Sequence, residues 1–116
     1  MEITMTIKEY QKQIDDYYQQ FDPPYWTPHE ILARLTEEVG ELARIINHDY
    51  GPKKKKPGDH HDTIGEESAD IIFALICLAN REGIELDIEI QRVINKSQTR
   101  DKNRFGKKAT KTKLDN

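Results

Sequence analysis

Two pairs of carboxylates at one spacing are the chemistry-bearing feature of the chain. Glu38 and Glu41 lie in Leu35-Thr-Glu-Glu-Val-Gly-Glu-Leu42, and Glu67 and Asp70 lie in Glu66-Glu-Ser-Ala-Asp-Ile-Ile72. On a helix the spacing i, i+3 points both members of a pair the same way. Both pairs adjoin strongly apolar sequence. Carboxylates crowded together in such surroundings repel unless protons or cations compensate them. A hard divalent cation with oxygen ligands is the economical solution, and Mg²⁺ commonly shares its ligands with substrate phosphates. The pattern therefore points to phosphate chemistry. The metal would neutralise phosphate charge and activate a water, and a carboxylate at the rim would accept the proton.

Glu-x-x-Glu on a helix is more commonly a solvated face, so the helical geometry has to decide. At about 100° per residue, with Leu35 at 0°, Val39, Leu42 and Ile46 fall within about 40° of it and Ile45 near about 280°. Glu38 falls near about 300°, inside the apolar arc; Glu41, near about 240°, borders it; Glu37, near about 200°, points away. Glu38 is thus hard to place both in a helix and in water. An uncompensated buried carboxylate costs several kcal/mol, a large share of a small domain's stability of roughly 5–15 kcal/mol.

Four helical segments are predicted to position these groups. Ile7, Tyr10, Ile14, Tyr17 and Phe21 form one apolar stripe, ended by Asp22-Pro23-Pro24. Thr27-Pro28-His29-Glu30 is an N-cap, an N1 proline and a capping box for a second helix, which Gly51-Pro52 stops. A loop over 51–62 holds Lys53 to Lys56 and Asp59-His60-His61-Asp62. The third helix begins near Thr63, with Glu66 completing a capping box, and ends at Gly83 as a C′ residue. Its stretch Ile71 to Ala79 is apolar on all sides, which marks it as the central, most buried helix. A fourth runs from about Leu86 towards Arg100. If the second and third helices pack antiparallel, the two carboxylate pairs face each other.

The 116 residues suffice for one domain with a modest core. The longest apolar run falls well short of the about 20 residues a membrane span needs. Met1 to Tyr10 contains no apolar leader segment. The lone Cys77 reads as a small buried hydrophobe, and the expected compartment is the cytoplasm. Charge is uneven. Residues 1–91 carry 9 basic and 19 acidic groups, whereas residues 92–116 carry 9 basic and 2 acidic ones. The expected organisation is a helical domain over 1–105 and a basic, disordered tail over 106–116.

With its two motifs on the page, the sequence resembles the MazG-like, all-α nucleoside triphosphate pyrophosphohydrolases. Their signature is Glu-Glu-x-x-Glu, a variable gap, then Glu-x-x-Asp; here it reads Glu37-Glu38-Val-Gly-Glu41 and Glu67-Ser-Ala-Asp70. The resemblance covers roughly residues 5–105. It implies a bundle of four to five helices assembled as a homodimer or homotetramer. It also implies Mg²⁺-dependent cleavage of an NTP or dNTP between the α and β phosphates, with Mn²⁺ able to substitute. The products would be a nucleoside monophosphate and pyrophosphate, in a nucleotide-pool house-cleaning role. By matching positions, Glu38, Glu41, Glu67 and Asp70 would be metal ligands. Glu37 and Glu38 are the candidate catalytic carboxylates, with Glu37 supporting either the site or a catalytic water.

The family's last helix carries basic and amide residues, here Asn95-Lys96 and Thr99 to Phe105. Lys96 and Arg100, at i, i+4, and Arg104 are candidates for phosphate contact, in their own or a neighbouring subunit's site; the bland reading is cations favoured at a helix C-terminus. Lys53 and Lys55 are weaker candidates to close over a triphosphate, since four lysines in a Pro/Gly-framed loop are more often simply solvated. His60 and His61 read as surface residues, His48 as a cap on helix-end carbonyls, and Tyr25 and Trp26 as packing at the helix entry more than base-stacking groups.

Other classes fit less well. A di-iron carboxylate bundle requires Glu-x-x-His pairs, and the chain has none. A nucleic-acid binder would rely on the basic end, where Phe105 is the lone aromatic, against an acidic body. A non-catalytic helical oligomer that binds nucleotides or a protein partner is the alternative of a different class; the four intact signature carboxylates argue against it.

Overall fold

The computed structural model describes residues 2–52, 56–58, 62–106 and 108. These form four helices, α1 (Ile7–Tyr18), α2 (Pro28–Tyr50), α3 (Ile64–Glu82) and α4 (Leu86–Asp101), with no strand among the described residues. The all-α expectation holds. None of the helices is long and apolar enough to cross a membrane. Two compact units are present, Met1–Leu86 and Asp87–Asn116.

The helix starts follow from local chemistry. Thr6, Thr27 and Thr63 each sit in extended backbone and accept a hydrogen bond from the N–H three residues on. In return Glu9, Glu30 and Glu66 accept from the N-cap N–H groups. Each box satisfies two donors that a helix start leaves orphaned. The ends are equally local. Gly83 takes φ 68°, a left-handed conformation in which glycine alone is unstrained, and its N–H bonds back into α3. At Gly51 the constraint is space, because a Cβ would stand 2.7 Å from the Asn47 carbonyl oxygen.

In one respect α1 departs from expectation: it ends at Tyr18, before the proline pair. The Phe21 N–H bonds the Tyr18 carbonyl at 3.0 Å, a tighter turn than α-helix, so Phe21 leaves the stripe. It packs instead on the rings of Tyr17 and Tyr18.

In the first unit α3 packs on both α1 and α2. Gln11 meets Asn80 while Tyr18 meets Phe73, so α1 and α3 run antiparallel. The partners Glu38–Glu67 and Arg34–Asp70 give α2 and α3 the same relation. The core is Tyr25, Ile31, Ile45, Ala74, Ile76 and Ala79, with Gln11 and Glu67 buried among them. The expectation that α3 is buried on every side is met only in part. Ile72, Phe73 and Leu75 remain exposed, because α1 and α2 cover only part of its apolar circumference.

Candidate functional site

Three of the four signature carboxylates converge. Glu38 on α2 and Glu67 and Asp70 on α3 each offer one oxygen, and the three oxygens lie within 4.8 Å of one another. The reason is visible along α2, whose buried direction is Ile31–Glu38–Ile45, three residues seven apart. Seven residues are nearly two helical turns, so they stack along one line. The buried line lies along one edge of the apolar arc, with Glu38 at its middle. Glu41, about 60° round the helix from Glu38, stands exposed and outside the group of three. Glu37, further round, is exposed as well.

Electrostatics register the crowding. Glu67 is only 4 % exposed, and its Oε2 is a buried oxygen with no hydrogen-bond partner among the described residues. Its carboxyl is pushed up to about 7, first by sharing a hydrogen with Glu38, then by burial, then by the carboxylate of Asp62. Asp70 is also raised, by burial and by the charges of Glu38 and Asp62. Glu38 moves the opposite way: Glu67 donates to it, and so does Arg34. The crowding thus raises the proton affinity of Glu67 and Asp70, and a cation would relieve the same repulsion.

The donor set fits a divalent metal. It consists of oxygens alone, as Mg²⁺ and Ca²⁺ prefer. Oxygens on opposite sides of such an ion stand about 4–5 Å apart, given metal–oxygen bonds of about 2.0–2.6 Å. The buried Oε2 of Glu67, without a hydrogen-bond partner among the described residues, is an acceptor that such an ion would satisfy.

Beside the cluster opens a cavity of about 410 Å³. Aromatic rings of Tyr18, Phe21, Trp26 and Phe73 line it, and Arg34 and Asp70 supply polar wall. Trp26 is 54 % exposed, unlike its buried neighbour Tyr25. Tyr25, in contrast, is the packed residue expected at the helix entry. Its hydroxyl donates to Asp15 Oδ1 at 2.7 Å and accepts from Asn80 Nδ2 at 3.0 Å. Burial and the Asp15 carboxylate push this phenol well up. Asn80 also exchanges hydrogen bonds with Gln11, which in turn bonds the Ile84 carbonyl and the Leu86 N–H. Cys77 lines the cavity half-buried, and burial raises its thiol.

The remaining candidates are placed as follows. Lys96, Arg100 and Arg104 belong to the second unit. There Lys96 is exposed, Arg100 grips Asp101 through Nε and Nη2 at 2.9 and 3.2 Å, and Arg104 stands 3.6 Å from Asp101 and over the Phe105 ring. Lys53, Lys55, His60 and His61 lie outside the described residues, as does most of the segment beyond Gly106. Sequence reasoning missed Arg34, whose only signal was its position one turn before Glu38. It also missed the tie from Tyr25 to Asp15, Asn80 and Gln11. That tie joins residues as far as 69 apart, and no short-range pattern announces it.

Known proteins match this arrangement. The family model of the MazG nucleotide pyrophosphohydrolase domain matches residues 26–105. The protein YpjD of Bacillus subtilis strain 168 is 46% identical over 103 residues, 89% of this chain and 93% of that protein. The crystal structure of YpjD superposes with a TM-score of 0.72 at 43% identity, covering 82% of this chain and 97% of the other. That of the Bacillus-conserved MazG protein, a nucleotide pyrophosphohydrolase, also gives 0.72, at 44% identity and coverages of 89% and 99%. An all-α chain with this carboxylate cluster, matched by the family model over two thirds of its length, belongs to the MazG nucleotide pyrophosphohydrolases, a family of metal-dependent hydrolases.

Proposed function

We propose that the chain cleaves nucleoside triphosphates, ribo- or deoxyribo-, between the α and β phosphates with Mg²⁺. It thereby releases a monophosphate and pyrophosphate and clears unwanted nucleotides from the cytoplasmic pool. The observation that carries this reading is the adjacency of two unlike surfaces: a carboxylate cluster suited to a hard cation and an aromatic cavity suited to a nucleoside. A volume of about 410 Å³ falls within the range of small-molecule sites.

Glu38, Glu67 and Asp70 would hold the metal, with Glu41 turning in as a fourth ligand from one helical turn away. When bound, a divalent ion supplies positive charge against the triphosphate and eases attack by water. The rings of Trp26, Tyr18 and Phe73 sandwich the base and keep water from the nucleoside. Glu37, on the solvent side of α2, accepts the proton of the attacking water. Lys96, Arg100 and Arg104, with Lys53 and Lys55, steady the phosphates, the helix residues doing so in the site of a neighbouring subunit within a homodimer or homotetramer.

A nucleotide panel with Mg²⁺, and with Mn²⁺ as substitute, tests the reading when pyrophosphate and orthophosphate are scored separately. The expected products are monophosphate and pyrophosphate, with turnover abolished by Glu38→Gln and by Asp70→Asn. Release of orthophosphate would show that a different bond is cut. Full activity in either variant would remove the cluster from the chemistry.

A further inference from the structure

We infer that Arg34 is the seat of the phosphate that stays on the nucleoside, the one attached to the sugar. The inference rests on the proposed reading of the site and adds a residue to it.

Arg34 and Glu38 form an i, i+4 pair, Nε to Oε1 at 2.8 Å, but an asymmetric one. The Glu38 side chain is 13% exposed and turned into the cluster; the Arg34 side chain is 49% exposed and turned towards the cavity. The bond runs through Nε, so the outer amino groups of the guanidinium are not what holds Glu38. Arg34 also feels the charges of Asp70 and Glu37. A cation here is therefore held by carboxylates that a divalent ion would claim. With the ion bound, the guanidinium faces a like charge across Glu38, and its outer fork is directed to an anion instead.

Position says which anion. Among the described residues Arg34 and Asp70 are the charged ones in the wall of the cavity, the others there being aromatic, aliphatic, proline or cysteine. They mark the border between the nucleoside's seat and the carboxylates. A nucleotide lying across that border places its sugar-linked phosphate beside Arg34 and its outer phosphates beyond, over the cluster. The planar fork of a guanidinium matches two phosphate oxygens, a geometry lysine lacks. Because this phosphate remains on the monophosphate product, Arg34 governs product binding as well as substrate binding.

The test is calorimetric titration, in Mg²⁺ buffer, of the unmodified protein and of Arg34→Gln and Arg34→Lys with nucleosides and their 5′-monophosphates. Trp26, the single tryptophan, gives a parallel fluorescence readout. The expected result is a loss of about ten-fold or more in monophosphate affinity for Arg34→Gln, as a charged hydrogen bond implies. Nucleoside affinity should be unchanged, and Arg34→Lys should restore only part of the loss. Equal losses for nucleoside and monophosphate would overturn the inference, since Arg34 would then merely shape the cavity. So would unchanged monophosphate affinity with a shifted Mg²⁺ requirement, which would leave Arg34 as a partner of Glu38 alone, or an unmodified protein that binds no monophosphate. Turnover assayed on the same preparations separates the two readings. Turnover with unchanged monophosphate affinity in Arg34→Gln sinks only this one; absence of turnover with an intact Arg34 effect sinks the catalytic one.

Discussion

Glu67 sits 4 % exposed beside two other carboxylates, and its proton affinity gives the site a signature that can be read without substrate. Its folded value of about 7 lies above the about 4.3 of a glutamate in an unfolded chain. Between those values the folded protein holds more protons than the unfolded one. Its contribution is therefore full below the unfolded value and lost as pH rises through the folded one. Glu38, lowered, has the opposite sign: its contribution is kept at neutral pH and lost only as pH falls through its folded value. Thermal melts in chelator should therefore show Glu67→Gln gaining on the unmodified protein between about pH 5 and about pH 8. Comparing the two proteins cancels the titrating groups outside the cluster and leaves the difference to Glu67 and the carboxylates it touches. Mg²⁺ should reverse the order at the upper end by stabilising the unmodified protein and leaving the variant nearly unmoved. A difference in melting temperature that stays flat with pH would mean that Glu67 is ionised throughout and the proton is not shared.

At the scale of elements, the helices were legible because their ends are local. Thr27-Pro28-His29-Glu30, Thr63 with Glu66, and Gly83 each state a boundary within four residues, and the structure realises each one. Which face of α2 turns inward was less legible. Leu32, Leu35, Val39, Leu42 and Ile46 are as apolar as Ile31 and Ile45, and periodicity gives the arc without saying which edge a neighbour will cover. Hence Glu38 was recognised as half-sequestered while Glu41 was expected in the same group. The buried tie among Gln11, Asn80 and Tyr25 was invisible for a different reason, since its members are neighbours only after α1 and α3 pack. This tie makes its own prediction. Asn80→Leu leaves the Gln11 amide and the Tyr25 hydroxyl short of partners in a buried place, at a cost of about 2 kcal/mol in urea unfolding. Gln11→Leu should cost a similar amount, and the double variant clearly less than the two together, because the second change removes the group the first left unsatisfied. Strict additivity would show that the two amides do not act as one unit. At the end of α3, Gly83→Ala should cost about 1 kcal/mol through its left-handed backbone alone, in space where a Cβ meets nothing.

At the scale of the whole molecule, a second apolar line runs along α2 beside the buried one. Leu32, Val39 and Ile46, again seven apart, are all exposed, as are Ile72, Phe73 and Leu75 on α3. A seven-residue apolar repeat is the pattern by which one helix seats against another, and exposed apolar surface gathered in this way marks an interaction site more often than an ordinary surface. A second copy of the chain is the occupant that the proposed assembly supplies. Val39→Glu places a charge at the middle of that line. In sedimentation the unmodified protein should run as a dimer or tetramer, and Val39→Glu as a smaller species or a monomer with a lower melting temperature. The carboxylate cluster lies within one unit of one chain, so Val39→Glu should still bind metal. If Lys96 and Arg100 steady phosphates in a neighbour's site, the same variant should lose turnover while it keeps that metal binding. A variant that keeps the parent's size would place the seam on the apolar residues of α3. A parent that sediments as a monomer would end the case for assembly, and would return Lys96 and Arg100 to the role of ordinary cations near a helix end.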